Sequence, residues 1–154
     1  MLENFIAYLR TSLATTRETE TNLGQDFELM RRYLAILQIR MGDRLQVDIS
    51  VPPTLSQFKL PPMLIQPLVE NAIKHGLEPK VEGGLLSLRA TQVGDMVRIE
   101  IADTGMGFQN TTSGGIGLLN VRERLAMLFG DRGALSVEDN QPCGTRIVVT
   151  LPAA

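Results

Sequence analysis

The chain has 154 residues, 44% of them hydrophobic, a formal net charge of −2 and a single cysteine, Cys143. That length supports one compact core with a helical appendage, the slight acidity argues against a nucleic-acid binder, and one cysteine excludes an internal disulfide framework and fits a reducing compartment. No apolar run approaches the ~20 residues of a bilayer span, and residues 1–20 lack the parts of a signal peptide, so the chain reads as soluble. It opens directly in helical pattern, which reads as the C-terminal part of a longer polypeptide.

Leu2, Ile6, Leu9 and Leu13 form one apolar helical stripe, and Leu23, Phe27, Met30, Leu34, Leu37 and Met41 form a second. The first packs on the chain's own core or self-associates. Polar residues 15–21 read as the connection between them. Leu45, Val47 and Ile49 alternate with polar residues as a half-buried strand, stopped by Pro52 and Pro53. Leu60-Pro61-Pro62 leads into a helix running to about Gly76, a ready C-cap, while Pro67 displaces its start or bends its first turns.

A two-residue turn at Gly94-Asp95 sets Ala90 opposite Ile99 and Leu88 opposite Ile101 on an apolar face, with Arg89 opposite Glu100 on the polar one. A glycine-rich stretch from Gly105 to Gly115 follows. Next comes a helix with Leu118, Val121, Leu125 and Leu128 on one side. Two strands close the chain, one through Leu135 and Val137, the other through Ile147, Val149 and Leu151. The fold expected is a two-layer α/β sandwich: a mixed, mainly antiparallel sheet covered on one face by helices, with an N-terminal helical extension.

Three segments carry candidate chemistry. On the helix before Gly76, three- and four-residue steps place Asn71, Lys74 and His75 on one exposed line. An amide oxygen suits Mg²⁺ and a lysine offsets phosphate charge, although such a line is equally a solvated face. Asp103 ends a strand where its carboxylate can accept from an exocyclic amino group, and Gly105 and Gly107 let the backbone approach a flat ring; the plainer reading is an Asx turn. Gly114-Gly115-Ile116-Gly117 lies before a helix, an anion site or simply a flexible cap. No P-loop, Rossmann glycine signature or ordinary protein-kinase motif is present, and one cysteine and one histidine cannot assemble a metal cluster.

In this order the segments resemble the ATP-binding catalytic domain of bacterial sensor histidine kinases, in the superfamily shared with gyrase and MutL ATPases. Residues 60–76 look like the family's N box, 103–107 like its first glycine box and 115–125 like its second. The wording is close to the LytS-type branch over about residues 23–152. The resemblance implies Mg²⁺ and ATP as cofactors, with Asn71 as metal ligand and catalytic residue, and Glu70 as a second catalytic candidate about 100° around the helix from it. It places Lys74 and His75 near phosphates and Asp103 at adenine in a pocket shaped by Gly105 and Gly107. Gly115 and Gly117 would anchor a mobile lid, Leu118 would be a further cofactor-binding residue, and Gly144-Thr145 would line the adenine end. Residues 1–22 would be a helical remnant of a dimerisation and phosphoacceptor region, and 23–154 the catalytic domain.

Two departures shape the expectation. Related ATPases and anti-sigma-factor serine kinases carry a glutamate four residues before the asparagine, where this chain has Pro67. The only histidine is His75, so the acceptor histidine lies elsewhere. The reading is therefore transfer of the ATP γ-phosphate to a histidine outside this chain, with an acceptor-histidine domain, a response regulator and a possible homodimer as partners. Nucleic acid and direct membrane insertion are not expected; the location is cytoplasmic, with the parent protein anchored in the inner membrane. The alternatives are a non-catalytic nucleotide-responsive interaction module and an anti-sigma serine kinase.

Overall fold

The computed structural model describes residues 21–107, 112–141 and 143–153. The expected helix over Leu2–Leu13, and most of the proposed 1–22 segment, lie outside them. The chain enters as strand β1 (Thr21–Asn22), and Asn22 then caps helix α1 (Leu23–Met41) by accepting from the Gln25 amide at 2.8 Å. Leu23, Phe27, Met30 and Leu34 are each at most 1% exposed, so the second predicted stripe is indeed the core face. Gly42, with φ of +62°, ends the helix where a side chain would be strained.

Strand β2 (Leu45–Ser50) follows, then β3 (Lys59–Leu60), which pairs antiparallel with β1. This two-residue ladder is absent from the sequence expectation, which assigned Thr21 to a polar connection. Helix α2 starts at Gln66, so Pro67 stands in the first turn, where a missing amide breaks no helical bond. Pro67 therefore displaces the start. After Asn71 the helix does not end at Gly76 but widens into a π-helical stretch over Ala72–Leu77, the Glu78 amide donating to the Ile73 carbonyl five residues back at 2.8 Å.

Strands β4 (Gly84–Val93) and β5 (Met96–Asp103) form the predicted hairpin, with Ala90 opposite Ile99, Leu88 opposite Ile101 and Arg89 opposite Glu100. Helix α3 (Thr112–Phe129), β6 (Ala134–Asp139) and β7 (Thr145–Pro152) complete the fold. The five-stranded sheet runs β2-β4-β5-β7-β6, parallel only between β2 and β4. Helices pack on it, the mixed, mainly antiparallel sandwich expected.

In-register rows define the apolar face: Leu88, Ile101 and Ile147 in one, Ala90, Ile99 and Val149 in the next, all at most 2% exposed. Asp103 has the same strand parity as Ile99 and Ile101 and sits between Leu86 and Thr145. The period of two thus turns its carboxylate inward. On α3, Leu118, Val121 and Leu125 are buried, but Leu128 is 51% exposed, a correction to the predicted stripe; Phe129 takes its place against the core.

A candidate nucleotide site

A cleft opens between the wide turn of α2 and the ends of β5 and β7. Asn71, His75, Asp103, Gly107 and Thr145 all line it, so residues of the first two candidate segments meet there with Thr145 of β7. Ala72, Gly76, Pro79, Met106 and Ile147 are the other described residues of the wall. Its volume of about 210 Å³ gives room for one flat heterocycle.

The wide turn decides which residues of α2 face this space. With bonds from residue i to i+5, each residue advances by less than the 100° of an α-helix. Asn71, His75 and Gly76 then share a side, and Lys74, three residues from Asn71, rotates away. Lys74 is exposed and is not part of the lining, contrary to the 3.6-residue spacing used to place it beside Asn71. Glu70 also stays out of the lining: its Oε1 accepts from Gln66 Nε2 at 2.9 Å, one turn earlier.

Asp103 is 3% exposed and Gly105 donates its amide to Oδ1 at 2.9 Å. Burial pushes the carboxyl above the ordinary aspartate range, while the amides of Gly105 and Thr145 and the Lys80 charge pull it back. An ionised carboxylate offers about four lone-pair sites, so two amides leave acceptor capacity facing the cleft. The Asp103 carbonyl is held separately by Asn140 Nδ2 at 2.9 Å.

Three glycines let the backbones close on this group. A Cβ on Gly76 would lie 2.7 Å from Asp103 Oδ1, one on Gly105 would collide with the Gly76 carbonyl, and one on Gly144 would collide with the Asp103 carbonyl. Met106 N donates to the Gly76 carbonyl at 2.9 Å, joining the helix to the glycine turn. Gly76 therefore serves close approach rather than a helix cap, a role that sequence reasoning missed. Lys80 was missed as well: it belongs to no motif, and its Nζ reaches the Thr104 carbonyl at 2.9 Å.

The second glycine cluster differs from expectation. Helix α3 begins at Thr112, so Gly114, Gly115 and Gly117 belong to its first turns instead of preceding it. Phe108 and the segment to residue 111 lie outside the described residues. Leu118 is 7% exposed and packs in the hydrophobic core, not on the cleft. Among the described residues no three His, Cys, Asp or Glu side chains converge into a metal cage, and no helix is long and apolar enough to cross a membrane.

Residues 60–154 match the family described as histidine kinase-, DNA gyrase B- and HSP90-like ATPase, and residues 1–45 match a histidine kinase family. The chain is 31% identical to the sensor histidine kinase YesM of Bacillus subtilis and 35% identical to BtsS of Escherichia coli, in each case over 99% of its own length and 27% of theirs. It is 32% identical to the sensor protein LytS of Oceanobacillus iheyensis, over 94% of this chain and 27% of that one. It thus spans about a quarter of the relatives it matches. Among solved structures, the nucleotide-free catalytic domain of histidine kinase ThkA shares the fold at a TM-score of 0.66 and 15% identity, over 88% of this chain and 96% of that one. The family model matched over residues 60–154 shows that the chain belongs to the histidine kinase-, DNA gyrase B- and HSP90-like ATPase family.

Proposed function

We propose that the cleft binds Mg²⁺-ATP with the adenine inward and that the γ-phosphate passes to a histidine outside this chain. The observation that carries this reading is the buried Asp103 carboxylate, backed by Gly76 and oriented by the Gly105 amide, with acceptor capacity directed into a space the size of one base. A carboxylate so placed accepts from the adenine amino group, and Gly107 and Ile147 supply wall at that end.

Asn71 lies on the same wall, so its amide oxygen fits a role as protein ligand for Mg²⁺, which shares phosphate oxygens and keeps waters rather than requiring a carboxylate cage. Bound there, the ion would offset charge on the phosphates. His75, one turn on, lines the cleft beside Asn71 and serves as a polar contact for the phosphate chain rather than as the acceptor. Gly115 and Gly117 belong to the segment that closes over the phosphates. Lys74 is exposed, placed to approach phosphates only from the rim.

Pro67 offers no base and Glu70 is engaged by Gln66, so neither is set to activate water. The chain's contribution is positioning, which suits phosphoryl transfer to an imidazole brought by another helical segment. The histidine kinase match over residues 1–45 supports assigning the chain before β1 to that segment in a longer dimeric kinase, Thr21 and Asn22 belonging instead to the sheet pair with β3. That parent kinase is anchored in the inner membrane, faces the cytoplasm and passes the phosphoryl group to a response regulator.

Calorimetry with Mg²⁺-ATP tests the binding step. Asn71→Ala and Asp103→Ala each weaken binding by about tenfold or more, corresponding to one lost charge-assisted contact. A folded wild-type chain that binds no adenine nucleotide sinks the proposal. Adding a histidine-bearing helical domain in trans and finding no acid-labile phosphohistidine while ATP binds would leave a nucleotide-responsive module instead of a kinase.

A further inference from the structure

We propose that Lys80 is a positioning residue for base recognition, fixing the peptide between Thr104 and Gly105 so that the Asp103 carboxylate is held for an exocyclic amino group. The inference rests on the nucleotide reading of the cleft.

The Thr104 carbonyl and the Gly105 N–H are opposite ends of one planar trans peptide, so the direction of one sets the direction of the other. Lys80 Nζ holds the carbonyl end at 2.9 Å, and the amide end donates to Asp103 Oδ1 at the same distance. Thr104 is fixed laterally too, its amide donating to the Leu85 carbonyl and its Oγ1 accepting from the Leu85 amide. A cationic donor on one end of the peptide thus orients the neutral donor on the other. The same ammonium is a charged group whose field reaches the buried carboxylate.

Lys80 acts from a fixed origin. Its own carbonyl accepts from Arg44 Nη2 at 2.8 Å and from the Gly83 amide at 2.9 Å, and its amide donates to Leu77 at 3.2 Å. Arg44 also holds the carbonyls of Glu78 and Val81, each at 3.0 Å. The loop leaving the wide turn is clamped on both sides of Lys80, and the side chain spans back to the glycine turn. Cys143 Sγ is a second, weaker donor to the Thr104 carbonyl at 3.3 Å. Removing the lysine therefore loosens the peptide without leaving its oxygen unbonded.

The test compares ATP with purine riboside triphosphate, which keeps the phosphates but lacks the amino group, by calorimetry on wild type, Lys80→Met and Lys80→Arg. In the wild type ATP binds more tightly than the analogue. Lys80→Met shrinks that advantage by about tenfold, through ATP alone, and Lys80→Arg keeps most of it. An advantage that stays within about twofold of wild type in Lys80→Met overturns the proposal, including the case where both nucleotides weaken together, as a merely structural role requires. Failure of the underlying reading shows earlier and differently: the unsubstituted chain binds neither nucleotide, or binds both equally.

Discussion

Replacing Gly76 by alanine sets two effects of opposite sign against each other. Gly76 is helical and does not adopt a positive φ, so on propensity alone alanine stabilises the helix by about 1 kcal/mol. Its Cβ, however, would stand 2.7 Å from Asp103 Oδ1, 2.9 Å from Cγ and 3.1 Å from Oδ2. The carboxyl is buried and tied to the Gly105 amide, so it cannot swing aside freely. Overpacking of this kind costs about 1–3 kcal/mol, and a rotated carboxyl forfeits about 1.5–3 kcal/mol of charge-assisted bonding. The clash wins: the variant is expected to lose about 1.5–5 kcal/mol in urea denaturation and to bind Mg²⁺-ATP at least tenfold more weakly in calorimetry. A Gly76→Ala chain as stable as wild type, with ATP affinity within about twofold, would show that the glycine is present for some other reason and that the carboxylate is not held against it.

Asp26, in the first turn of α1, is 5% exposed, and burial pushes its carboxyl up to about 7. Between its unfolded value and about 7 the folded state binds more protons, so this group makes stability fall as pH rises through that window and level off above it. Asp26→Asn removes the slope and is more stable than wild type at pH 8, by about 4 kcal/mol at most, whereas near pH 4 the two converge; urea midpoints at pH 5, 6 and 8 decide, and an unchanged slope contradicts the assignment. Arg44→Ala strips donors from the carbonyls of Glu78, Lys80 and Val81 and is expected to cost about 2–3 kcal/mol. Hydrogen exchange should rise first in residues 78–83, and protection there equal to wild type would refute the clamp.

The hairpin register was legible because one pairing satisfies the apolar face, the polar face and the turn at once, and these constraints are local. The inward direction of Asp103 follows from the same alternation, since it continues the parity of Ile99 and Ile101. The β1–β3 ladder was not legible: two residues per strand leave no periodicity, and Asn22 and Lys59 carry no apolar signal. Of the predicted line of Asn71, Lys74 and His75, only Asn71 and His75 line the cleft, because helical spacing assumes one pitch and nothing in Ala72–Leu77 announces a wider one. The glycines of 114–117 read as a loop by composition, yet the helix begins before them at Thr112. Lys80 stayed invisible because its role depends on where a loop returns, which Arg44 fixes from a distant part of the chain.

The wide turn after Asn71 also works as a phase shifter within a single continuous rod. Upstream of it, ordinary helical phase turns Leu68 and Val69 into the core, each fully buried. Downstream, the angular offset keeps Ile73 and Leu77 buried while bringing His75 and Gly76 round to the sector that Asn71 already occupies. Anchoring and ligand contact are thereby assigned to separate azimuths of one helix with no break in its axis. The core-facing sector can drift in sequence as long as volume is kept, whereas an inserted or deleted residue between 72 and 77 would rotate the two sectors against each other.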